Sequence, residues 1–297
     1  MTPKDEFVDL PGLRPDTQGT LRFHYRDWGG RGKPVIFLHG LASNARIWDL
    51  TAPLLARRFR ILALDQRGHG LSDKPDSGYD FQAVTADLHA FIKALGLRRP
   101  GLVGHSWGGN VALQFAADHP DAVSRLALVD GGFLEISAFP GMTWERTLEM
   151  MSPPHLDGMR LETLLQGARN WPGLGELWNS EVQEIVLANF HIDEDGRIHP
   201  HLRRENHIKI LRAMWEQEPS ALWSSLRCPV LLAPATRDES DPRQAIWMEQ
   251  KKKSIALAEE RAGAVTVVWM KDTIHDVPLH RPRELANAIE GFLDADD

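Results

Sequence analysis

Gly101-Leu102-Val103-Gly104-His105-Ser106-Trp107-Gly108-Gly109-Asn110-Val111-Ala112-Leu113 is the stretch that decides the fold. A short apolar run meets a Gly-x-Ser-x-Gly reversal, and a helical pattern follows directly. A strand that turns this sharply into a helix holds its serine in a strained backbone conformation and lifts the hydroxyl clear of the sheet. The glycines on either side must be small, because they crowd the neighbouring strands and the helix. The helix then directs its first N–H groups at the place where negative charge would develop.

Working outward, short strand-like runs alternate with helical patterns. Residues 21–28 alternate apolar and polar, as a half-exposed strand does. Runs at 34–38, 60–64, 101–104 and 125–129 are apolar and bounded by Gly, Pro or Asp, the marks of strands buried on both faces. Residues 81–95 place Val84, Leu88, Phe91, Ile92 and Leu95 on one helical face and stop at Gly96. The alternation breaks off after Val129. It resumes with a strand at 229–233, a helix at 246–262, a strand at 265–270 and a helix at 283–293. This order predicts an α/β fold, a mostly parallel sheet with helices on both faces. Residues 1–132 and 221–297 form its core, and residues 133–220 are an insertion.

Composition narrows the function classes. The chain has 297 residues, 42% hydrophobic and 25% charged, an ordinary globular balance. A net charge of −7 with both signs interspersed argues against nucleic acid as a partner. One cysteine, Cys228, excludes an internal disulfide and any multi-cysteine metal site. The first ten residues carry four charges and no apolar stretch like a leader, and no run is long enough to span a bilayer. A cytoplasmic protein with no membrane partner is the expectation.

A nucleophilic serine needs a base, and the base needs an orienting carboxylate. On a strand–turn–helix elbow the expected chain order is Ser, then Asp or Glu, then His. Leu231-Leu232-Ala233-Pro234-Ala235-Thr236-Arg237-Asp238 is a strand entering an acidic loop, and His275 follows the strand at 265–270. Both lie past the carboxyl ends of strands, where open α/β sheets gather their chemistry. Asp238 is therefore the expected acid. Asp241, three residues on, and Asp130, at the end of the strand after the elbow helix, are the alternatives; for Asp130, backbone capping where the insertion leaves the sheet is a competing role.

These pieces together resemble the α/β-hydrolase superfamily, in particular its capped esterase, lactonase and carbon–carbon bond hydrolase branches. The resemblance rests on His39-Gly40 after a strand, Asp65-Gln66-Arg67-Gly68-His69-Gly70-Leu71-Ser72, the 104–109 elbow, Asp238 and His275-Asp276-Val277-Pro278. It implies that Ser106 attacks a carbonyl, His275 takes and returns the proton, and Asp238 holds the imidazole. It also implies an oxyanion hole made by the backbone N–H groups of Leu41 and Trp107, no cofactor and no metal, and a mainly helical cap over Ser106. Epoxide hydrolases and dehalogenases of this superfamily need Asp where Ser106 stands.

The other histidines invite structural readings. His39 and His69 are expected to buttress their loops, and His105 to pack in the elbow. His191, His199, His201 and His207 are expected on a solvated surface around a β-turn at 193–197, because no tight pair with an acidic third ligand is evident. Cap residues Trp144, Trp171, Trp178, Trp215, Met142, Met150, Met151, Met159 and Met214 suggest a largely apolar pocket. The leading expectation is a serine hydrolase of a small-molecule carboxylic ester or lactone, acting through an acyl-enzyme. The alternatives are a carbon–carbon bond hydrolase of aromatic ring-cleavage products and, from a different class, a non-catalytic ligand-binding receptor on the same fold. A homodimer is compatible with either.

Overall fold

Alternate residues of one apolar strand feed two different cores. In β3 (Pro34–Leu38), Val35 and Phe37 face one side of the sheet while Ile36 and Leu38 face the other, all fully buried. The computed structural model describes residues 1–11, 19–236 and 242–295. Before β3 come β1 (Lys4–Pro11) and β2 (Thr20–Gly29). After it come α1 (Ala52–Leu55), β4 (Arg60–Leu64), α2 (Phe81–Ala94), β5 (Gly101–His105), α3 (Trp107–Asp118) and β6 (Leu126–Val129). The insertion carries α4 (Trp144–Met151), β7 (Met159–Arg160), α5 (Leu161–Ala168), α6 (Ser180–Leu187), β8 (Phe190–Ile192), β9 (Arg197–Pro200), α7 (Arg204–Glu216) and α8 (Pro219–Leu222). The chain returns through β10 (Val230–Ala233), α9 (Pro242–Arg261), β11 (Val265–Val267), α10 (Val277–His280) and α11 (Pro282–Asp294).

The main sheet has eight strands in the order β1-β2-β4-β3-β5-β6-β10-β11. From β4 to β11 every pairing is parallel, and β2 is antiparallel to both of its neighbours. The expected α/β architecture is therefore present, with an antiparallel edge added. β1 was not expected from sequence. Its residues are mostly exposed, and only Leu10 is buried, so no apolar alternation marks it as a strand. β11 is shorter than the apolar run at 265–270, which continues only as an isolated bridge between Ala235 and Met270.

From β3 the chain steps to β4 on one side, and β5 takes the other side. The carboxyl ends of β3 and β5 therefore open a crevice at a point where strand order reverses, the usual ligand position in open α/β sheets. One core, with Phe91, Leu102 and Phe115, lies under α2 and α3; the other, with Trp48, Leu285, Ile289 and Phe292, lies under α11. The cap is helical as expected but also carries a three-stranded sheet, β7-β9-β8, closed by the turn at Asp193 to Gly196. Ile210 and Met214 of the cap belong to the same buried cluster as Leu102 and Phe115. No helix among the described residues is long and apolar enough to cross a membrane.

The loop after β4 is fastened by buried charges. Arg67 donates to both carboxylate oxygens of Asp87 in α2, at 2.5 and 2.6 Å. Asp65 accepts from the amides of Ala45 and Leu71 and from the His24 ring. Losing one partner of such a pair strands a buried charge, at a cost of about 3–5 kcal/mol. Asp87→Ala is expected to lower the urea unfolding free energy by that amount, whereas Arg203→Ala, whose partner Asp76 is exposed, shifts it by less than about 1 kcal/mol.

Candidate active site

Ser106 is the residue between β5 and α3, and its backbone lies in a left-handed region at φ 53° and ψ −124°. A side chain rarely adopts that conformation, and crowding holds it there. A Cβ added at Gly104 would come within 2.3 Å of the Gly108 carbonyl oxygen. One added at Gly131 would come within 2.3 Å of the Ser106 Cα. The first contact was expected from the elbow motif; the second belongs to the strand after it.

The Ser106 hydroxyl donates to His275 Nε2 at 2.9 Å, and His275 Nδ1–H donates to Asp130 Oδ2 at 2.7 Å. Asp130 directly follows β6, the parallel neighbour of β5, so the pairing of His105 with Val129 sets it beside Ser106. Its own backbone is at φ 42°. Oδ1 accepts from the Ala235 amide at 3.0 Å and from the buried Lys251 ammonium. Burial alone would raise the Asp130 carboxyl. The His275 hydrogen bond and the His275 and Lys251 charges outweigh it and hold the group well below the usual carboxylate range.

Asp238 and Asp241 lie outside the described residues. Among the described residues, the carboxylate on His275 Nδ1 is Asp130. Its backbone-capping role is present too, since Oδ1 takes the Ala235 amide while Oδ2 takes the imidazole. The signal available in the sequence was Val129-Asp130-Gly131-Gly132: a glycine pressed against the Ser106 backbone means that this strand end abuts the elbow.

The oxyanion-hole expectation names Leu41, in the turn after β3, and Trp107, directly after Ser106. Trp107 is the first residue of α3, a position whose N–H has no partner inside the helix. The turn after β3 touches the nucleophile, since a Cβ at Gly40 would lie 3.1 Å from the Ser106 Cβ. His39 and His69 are buttresses, as expected. His39 Nδ1–H donates to the Gly40 carbonyl, and Nε2 accepts the Gln66 amide. His69 stacks on Trp107 with centroids 5.1 Å apart and accepts the Ala42 amide. His105 is buried in the elbow and donates from Nε2 to the His275 carbonyl at 2.9 Å.

Two cavities flank this arrangement. The smaller, about 320 Å³, reaches Ser106, Asp130 and His275 and is walled by Ile136, Met151, Met214 and Trp247. The larger, about 630 Å³, lies on the Leu41 side, between the core and the cap. His201, Arg204 and His207 line it together with Leu174, Ile185 and Leu279. The Arg204 guanidinium donates to the Pro153 carbonyl and has no carboxylate partner among the described residues. The surface expected for the four cap histidines holds for His191, which is exposed, and for His199, which is partly exposed and pairs with Asp157 and Asp193. It fails for His207, because α7 turns that face inward with Ile210 and Leu211. No cluster among the described residues is arranged to hold a metal ion.

Residues 33–201, more than half of the chain, match the alpha/beta hydrolase fold family. The chain belongs to that family. Within this α/β-hydrolase family, it is 39% identical over 282 residues to a 2-(acetamidomethylene)succinate hydrolase of Mesorhizobium japonicum, covering 93% of each chain. It is 35% identical over 251 residues to N-formylmaleamate deformylase of Pseudomonas putida, covering 84% of this chain and 88% of that one. The crystal structure of E-2-(acetamidomethylene)succinate hydrolase shares the fold with a TM-score of 0.75 at 24% identity, over 98% of this chain and 100% of the other. Other curated relatives match over a shorter stretch, in which the chain spans only 30–38% of their length.

Burial pushes the His105 imidazole from 6.5 down to about 4, with the nearby His275 charge adding to the effect. An unfolded His105 takes up a proton that the folded one refuses, so its contribution is complete above pH 6.5 and lost as pH falls towards 4. Burial shifts His39, His69 and His207 in the same direction. Urea midpoints are expected to fall steeply between pH 6.5 and 4, and His105→Asn to flatten that slope.

Proposed function

We propose that this chain is a serine hydrolase in which Ser106 adds to a substrate carbonyl, His275 moves the proton and Asp130 orients His275. The observation that carries the reading is the continuous hydrogen-bonded chain from Ser106 through His275 to Asp130 on a strained elbow. As Ser106 Oγ attacks, its proton passes to His275 Nε2, and the Leu41 and Trp107 amides take the oxyanion. His275 then returns the proton to the leaving group, and water releases the acyl group from Ser106 by the same steps. Each oxyanion donor is worth about 3 kcal/mol of transition-state stabilisation.

The bond cleaved is, in this reading, one from the carbonyl to carbon or nitrogen and not a simple ester or lactone. Two relatives matched along most of their length are named for a deformylase of N-formylmaleamate and a hydrolase of 2-(acetamidomethylene)succinate. Neither name is that of a simple ester, and this favours the carbon–carbon alternative, broadened to nitrogen leaving groups, over the ester expectation. Relatives matched over a shorter stretch include a soluble epoxide hydrolase and a fluoroacetate dehalogenase. Ser106 stands where those chemistries need Asp. The larger cavity, with Arg204 at its wall, suits a substrate that carries a carboxylate.

Ser106→Ala is expected to abolish labelling by a fluorophosphonate and all turnover in a panel of N-acyl enamide acids, ring-cleavage keto acids and p-nitrophenyl esters. The acids are expected to have the highest kcat/KM; p-nitrophenyl butyrate at the head of the panel would restore the ester reading. Asp130→Asn is expected to cut kcat by about 10⁴, with Asp238→Asn within a fewfold of wild type. The reverse pattern would return the acid to Asp238. Arg204→Ala is expected to raise KM for acid substrates roughly tenfold with little change in kcat.

A further inference from the structure

Lys251 lies in α9 within Lys251-Lys252-Lys253, a run that looks solvent-facing in sequence, yet its side chain is 3% exposed. Its ammonium donates to Asp130 Oδ1 and to the Ala235 carbonyl, the latter at 2.8 Å. Asp130 is 1% exposed at its side chain and gives its other oxygen to His275. A lysine and a carboxylate removed from water together are costly, and an apolar pair of the same volume often packs as well or better. Here the pair also lines the cavity that reaches Ser106.

We propose that Lys251 is a positioning residue of the reaction: it pins Asp130 by its Oδ1 edge, so that Oδ2 alone faces His275, and it sets the pH range over which His275 acts as base. This rests on the reading of Asp130 as the carboxylate that orients His275. Two effects follow from one contact. The first is geometric. Two donors on Oδ1, Lys251 and the Ala235 amide, stop the carboxylate from rotating and leave a single oxygen for Nδ1–H. The second is electrostatic. A fixed cation on the far side of Asp130 opposes a second positive charge on the imidazole, so His275 stays unprotonated and ready to accept the Ser106 proton further into the acidic range.

Among the groups around His275 are Ser106 on Nε2 and the His105 ring at 4.9 Å, with Asp276 next to it in the chain. Variants at Lys251 leave these residues in the sequence, so comparing Met, Gln and Arg at this one position separates its charge from its donor function.

The test uses the full chain and two readouts. One is the pH dependence of fluorophosphonate labelling of Ser106; the other is the NMR titration of the His275 ring. In Lys251→Met the midpoint of both is expected to rise by at least half a pH unit, and the alkaline plateau of labelling to fall about tenfold. Lys251→Gln keeps a donor without the charge, so it is expected to show the raised midpoint with a plateau within threefold of wild type. Lys251→Arg is expected to restore the wild-type midpoint. Variants that lose labelling equally with unmoved midpoints, or a Lys251→Arg that behaves as Lys251→Met, would overturn the proposal. If Lys251→Met fails to fold, the Gln and Arg variants decide it alone. Asp130→Asn separates the two readings. If it labels like wild type, the assignment of Asp130 itself falls. If it is inactive while the Lys251 variants keep the wild-type midpoint, only the role of Lys251 falls.

Discussion

One carboxylate joins parts of the chain that are far apart in sequence. Asp130 directly follows β6, accepts an amide from just past β10, takes an ammonium from α9 and receives the imidazole from the loop beyond β11. A buried carboxylate stays charged only where such donors outweigh the cost of its burial. Because they come from separate elements, the sheet must be fully assembled before the carboxylate can be satisfied. The site and the carboxyl edge of the sheet therefore form as one cooperative unit. A loose β10 or α9 would reach Ser106 through this carboxylate.

Steric crowding provides the other half of that order. The elbow at Ser106 is held by absent side chains, at Gly104 below it and at Gly131 on the adjacent strand end. Hydrogen bonds then orient what crowding has placed. His69 bridges the Trp107 ring and the Ala42 amide, and Arg67 ties the same loop to α2. Both flanks of the proposed oxyanion site are thus tied to the core by stacking and hydrogen bonds.

Most of the fold was legible because buried parallel strands leave apolar runs, and because the elbow needs glycines that can be counted. Ser106 follows from the elbow and His275 from the chain order of the strand ends, while the Leu41 and Trp107 amides came only from the resemblance. Asp130 was legible only as an alternative, since strand-end aspartates look alike until the adjacency of β5 and β6 is known. β1 was hidden because a polar edge strand gains its order from backbone pairing with β2 and not from apolar alternation. Lys251 was hidden because a helix that buries one cation of three shows no signature in residue type. His207 was misplaced for a related reason: which face of α7 turns inward is set by tertiary packing.

The cap shares its floor with the core. Ile210 and Met214 of α7 sit in one buried cluster with Leu102 and Phe115, so the hydrophobic interior continues unbroken from the sheet into the insertion. Such an insertion is not a detachable module. Exchanging it whole for the cap of a relative would leave an apolar wound over α3 unless the donor brought its own equivalent of α7. Specificity in this lineage would then be easier to reshape by altering the outer wall, α4 to α6, than by transplanting the entire cap.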